Sequence, residues 1–79
     1  STSTLWEQFQ HGGLEAVNAR QATTAGERHY LSVLAASERA WKSAAEWACE
    51  AAQLQPGSLL LRVLFGAAVG ALEQAPQAA

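Results

Sequence analysis

Seventy-nine residues, about half of them apolar and with a net charge of −2 at pH 7, describe one small folded domain. At that size a single core supplies only a few kcal/mol of net stability, so help from association is expected. The five basic residues, Arg20, Arg28, Arg39, Lys42 and Arg62, are too sparse for the cationic surface that a phosphate backbone requires, and nucleic acid is not an expected ligand.

Two capping boxes organise the first two-thirds of the chain. Thr4 followed by Glu7 places a side-chain acceptor and a returning carboxylate at a helix start, predicting a helix over residues 5–20. Its stripe is Leu5, Phe9, Gly12 or Gly13, Ala16 and Val17. Each glycine of the pair costs ~1 kcal/mol relative to alanine in a helix interior. Either another element approaches closely there, or the helix divides into two short ones.

Thr24 and Glu27 repeat the capping device and predict a second helix over residues 25–54. From Tyr30 the stripe runs through Leu34, Ser37, Trp41, Ala44, Ala48 and Ala51 at spacings of four and three, without a stumble at residues 38–42. The pattern predicts one long helix of roughly 45 Å, with a break near Ser37 as the alternative. Glu38, Arg39, Lys42, Glu46, Glu50 and Gln53 form a solvated face, with Glu38 and Lys42 placed as an i,i+4 ion pair.

Gln55, Pro56, Gly57 and Ser58 make the next boundary, because proline disfavours helix in the residue before it, glycine permits a turn and Ser58 can cap a new helix. A third helix is predicted over residues 59–73, with a frayed tail at 74–79. No strand-like alternation is sustained and alanine dominates, so the expected fold is all-α, a three-helix antiparallel bundle.

The third helix is apolar on nearly every side, with Arg62 as the one charge between residues 59 and 72. Fourteen residues reach roughly 21 Å, short of the ~30 Å of a bilayer core, so a membrane span is not expected. Gly66 and Gly70, one turn apart, are expected to mark the inward face. The leucine-rich side around Leu60, Leu61 and Leu64 is then surplus and needs a cover.

Residues able to do chemistry are few. His11 and His29 are far apart with no Cys, Asp or Glu at metal-ligand spacing, and Cys49 has no sequence-local histidine. Glu46 and Glu50 share a solvated helix face, and Gly12 and Gly13 lack the lysine and preceding strand of a phosphate loop. Catalytic residues, metals and cofactors are not expected. A single cysteine excludes an intramolecular disulfide framework and points to the cytoplasm. The start at Ser1 and the absence of methionine point to a processed or excised product.

The run Ala44, Ala48, Ala51 and Pro56 resembles the second helix and closing proline of a tetratricopeptide repeat, and Phe65 and Gly66 fall where the next repeat carries its Leu-Gly pair. Ala48 stands where that family carries an aromatic, Arg62 where it carries tryptophan, and nothing in residues 38–41 resembles the turn within a repeat. The resemblance implies a helical hairpin that binds another protein, as small secretion chaperones of this kind do.

The expected function is non-enzymatic protein binding, as an adaptor, chaperone or assembly subunit that offers an apolar helix face or groove to a helical partner. The expected partner-binding residues are Trp47, Leu60, Leu61, Leu64 and Phe65. Self-association into a homodimeric bundle is the nearest alternative. Membrane-surface binding through the third helix is another, although that helix lacks a basic polar face.

Overall fold

A computed structural model describes residues 1–76, and among them every regular element is helical. Four α-helices form in place of the three expected: α1 at Thr2–Gly12, α2 at Ala25–Ser37, α3 at Trp41–Leu54 and α4 at Leu59–Gln74. Two short 3₁₀ turns, Leu14–Ala16 and Ala19–Gln21, link α1 to α2. The part of the expected frayed tail at residues 77–79 lies outside the described residues; Gln74 still belongs to α4.

The first helix starts earlier and ends sooner than the Thr4 box implied. Ser1 is its cap, its hydroxyl oxygen accepting from the Thr4 amide at 3.4 Å, so Thr4 lies inside the first turn. The helix ends at Gly13, which adopts φ 72°, a left-handed conformation that glycine reaches without penalty, while its amide donates to the Phe9 carbonyl at 2.8 Å. Gly12 also marks a close approach, since a Cβ there would lie 2.8 Å from the Ala16 Cβ. The helix therefore breaks at the pair, but 3₁₀ turns follow it in place of a second short α-helix, and the close approach at Gly12 is made by the first of them. Gln8 then holds the turns after it, accepting from the Asn18 amide at 2.9 Å and donating to Gln21 at 2.8 Å.

The Thr24 capping box forms as expected, with the Glu27 amide donating to Thr24 Oγ1 and the Thr24 amide to Glu27 Oε1, each at 3.1 Å. The helix it starts does not run to Leu54. It stops at Ser37, and residues 38–40 turn the chain back on itself. Arg39 sits at φ 60°, and the amides of Arg39 and Ala40 donate to the carbonyls of Ala36 and Ala35 at 3.0 and 2.9 Å. This is a left-handed C-terminal cap built on arginine instead of glycine, so no glycine or proline announces it. The uninterrupted seam was two helical stripes meeting by coincidence of phase, and Glu38 and Lys42 do not pair because they lie on either side of the turn.

Antiparallel α2 and α3 form a hairpin, and α4 packs against α3 beside α2. Of the expected seam, Leu34, Ala44, Ala48 and Ala51 are buried and Tyr30 and Trp41 half-buried, whereas Ser37, beside the turn, is exposed. Small side chains let α2 come close enough for the Ser32 hydroxyl to donate to the Ala44 carbonyl at 2.8 Å in the buried interface. Next to Ser32, Leu31 joins Leu5 and Ala22 in a fully buried cluster, with Val17, Ala19, Tyr30 and Trp47 packed around it. Glu50, read from sequence as solvated, bridges the hairpin by accepting from Arg28 at 3.2 Å.

Candidate interaction surface

Two helices pack side by side on the alanine-rich α3, and what α4 turns inward decides what it leaves outside. Ser58 starts α4, its hydroxyl oxygen accepting from the Leu61 amide at 3.2 Å. Leu61 is buried, whereas Leu64, Phe65, Ala68 and Val69 are half-buried. Gly66 and Gly70 face outward: a Cβ on either would meet nothing within 4 Å. This reverses the expected orientation of the helix. The reason is packing, because α3 offers a shallow surface of alanines, and bulky Leu and Phe side chains fill the space above it that glycine would leave empty.

The outward face is apolar. Leu59 is 69% exposed, Leu60 66% and Val63 58%, and with Gly66 and Gly70 they form a stripe free of charge, bordered by Arg62 and Glu73. Leu59, Val63, Gly66 and Gly70 succeed one another at spacings of four, three and four, so they share one side of the helix. Contiguous exposed aliphatic side chains are unusual on the surface of so small a domain.

Beside this stripe, α2 and α4 form the two walls of a groove of about 220 Å³ with α3 as its floor. His29, Val33 and Ala36 line one wall, Leu64, Ala67 and Ala71 the other, and Trp41 and Ala44 the base. His29 Nδ1 is buried there and has no hydrogen-bond partner, an unusual condition for a polar atom. His11 lies elsewhere, on α1 beside Glu7 and Gln10.

The five residues expected to bind a partner are thus divided. Leu60 belongs to the exposed stripe, Leu64 to the groove, and Leu61 to the interior, where it is 8% exposed. Phe65 walls a separate open dish with Leu72, Ala45, Glu46 and Cys49. Trp47 packs against the Leu5 and Leu31 cluster, where it fills core volume. Leu59 and Val63 were missed, although their spacing from the two glycines was visible once the glycine face was known to point outward.

Cys49, Glu46 and Lys42 share that dish because they recur at spacings of three and four on α3. Among the described residues no three His, Cys, Asp or Glu side chains converge as metal ligands would. Among the same residues no helix is long and apolar enough to cross a membrane. Compared with known proteins, this chain matches no family model, no curated protein and no solved structure.

Proposed function

We propose that this domain is a non-enzymatic protein-interaction module, an adaptor, chaperone or assembly subunit, that receives an apolar helix on α4. The observation that carries this reading is the outward stripe of Leu59, Leu60 and Val63 on a helix whose opposite face packs on α3. Burying aliphatic side chains of this size contributes ~1.5–3 kcal/mol each relative to full exposure, enough for a few of them to hold a partner.

An internal period supports the tetratricopeptide-like form of the reading. The caps Thr24 and Ser58 are 34 residues apart, the length of one such repeat. Arg28 and Arg62, Leu31 and Phe65, and Ser32 and Gly66 recur at the same offset. The turn at residues 38–40 supplies the hairpin that the sequence pattern did not announce. In the first unit α3 covers Leu31 and Ser32; in the second Phe65 is half-buried and Gly66 is open. A module with one such face uncovered is suited to receiving a helix from another chain.

Photo-crosslinking tests this reading. A benzophenone side chain at Val63, introduced in the native host, is expected to form a protein adduct, whereas the same group at Gln10, on the exposed polar side of α1, forms none. No adduct of any kind from position 63, including one between two copies, would defeat the proposal.

A further inference from the structure

We infer that the helix received on α4 is α4 of a second copy, lying antiparallel across it. This rests on the reading of α4 as an interaction face and names its partner.

The stripe is self-complementary in only one of the two directions. Leu59, Val63, Gly66 and Gly70 are spaced so that a two-fold axis passing between residues 64 and 65 sets Leu59 of one copy opposite Gly70 of the other, and Val63 opposite Gly66. Both layers, and their two symmetry mates, then place a branched aliphatic side chain over a glycine. Apart from its own helix backbone and chain neighbours, neither glycine has an atom within 4 Å of where its Cβ would stand, and each opposing side chain is more than half exposed. A parallel pair would instead stack leucine on leucine and leave glycine against glycine, an overfilled end and a void. Spacings of four and three also suit two helices crossing at a shallow angle, with Leu60 flanking the seam near Ala67 of the second copy.

Charge does not oppose the arrangement. No ionisable side chain lies on the stripe, and Arg62 and Glu73 border it, where their heads stay in water while the arginine stem covers apolar surface. Because the same patch serves both partners, the contact closes on itself and stops at two copies.

Size sets the strength. A 16-residue helix is roughly 24 Å long and about 10 Å wide, so one face covers on the order of 240 Å² per partner, under a third of the ~800 Å² in a standard interface. Such a contact gives a weak dimer that forms only at high protein concentration.

Sedimentation equilibrium of the whole chain between ~5 μM and ~1 mM reads this directly. The weight-average mass is expected to rise from 8.4 kDa toward twice that value. Val63→Arg and Gly66→Leu, both at open positions, should each weaken the association at least tenfold with unchanged helical circular dichroism. Register is read by disulfide trapping in a Cys49→Ala background, where Val63→Cys mixed with Gly66→Cys should form the mixed dimer faster than Val63→Cys pairs with itself. A chain that stays at 8.4 kDa up to ~1 mM, or equal trapping in both pairings, overturns the inference. If that monomer still gives an adduct with a different protein from position 63, the interaction-module reading stands and only the second copy is wrong. Absence of both removes the two together.

Discussion

The Ser32 hydroxyl donates to the Ala44 carbonyl across the α2–α3 interface at 2.8 Å, and both residues are almost completely buried. Serine works here because it is small enough for helices in close contact and its one donor has an acceptor in reach. Ser32→Ala should therefore cost only ~1 kcal/mol, since the Ala44 carbonyl keeps its place in the helical ladder. Ser32→Leu should cost more, ~2–3 kcal/mol, by forcing the helices apart. Urea unfolding of the two variants checks the order.

Arg39 carries a left-handed backbone for which its side chain is a liability, φ being 60°. The conformation costs a non-glycine residue ~1–2 kcal/mol, partly offset by the extra freedom glycine has when unfolded. Arg39→Gly should accordingly raise stability by up to ~1 kcal/mol, while the β-branched Arg39→Val should lower it by ~1–2 kcal/mol. Thermal melts of the pair give opposite shifts in midpoint if the turn is as described.

Glycines in this chain fall into two groups that a single substitution separates. Gly13 has φ 72° and a prospective Cβ 2.9 Å from the Glu38 carboxylate, so Gly13→Ala should destabilise by ~1–2 kcal/mol. Gly70 lies in α4 with open space beside it, so Gly70→Ala should stabilise the monomer by ~0.5–1 kcal/mol. The second measurement belongs at low micromolar concentration, where association does not contribute.

The Glu27 carboxyl is held at about 2, below its ordinary 4.5, first by the Ser1 ammonium at 3.0 Å and then by hydrogen bonds from Thr24 and Thr23. A carboxyl with a lowered folded-state value contributes stability above its unfolded value, and loses it as pH falls from about 4.5 to about 2. The difference in melting temperature between the chain and Glu27→Gln should be constant above pH 5 and close toward zero near pH 2. Acetylating the Ser1 amine should shrink this difference and raise the pH at which its loss is complete.

Much of the helical content was legible locally. Thr24 with Glu27 and Ser58 after Pro56 and Gly57 each mark a helix start through hydrogen bonds that span three residues, and the structure has caps at both. The alanines at 44, 48 and 51 announced a close contact because only small side chains permit one. The candidate site was half legible: a surplus apolar face on α4 could be inferred from a helix with one charge, but not its direction.

What the sequence determined by itself is an all-helical chain with starts at Thr24 and Ser58, a tight alanine seam, and more apolar surface on its last helix than a domain of this size can cover. Those properties depend on neighbours a few residues apart. Only the tertiary structure decided that the long second helix folds into a hairpin at Arg39, because the turn uses a strained arginine that packing on both sides enforces. Only it decided that Leu61 turns inward and Gly66 and Gly70 outward, because the face that a uniformly apolar helix buries is chosen by the shape of α3 and not by hydrophobicity.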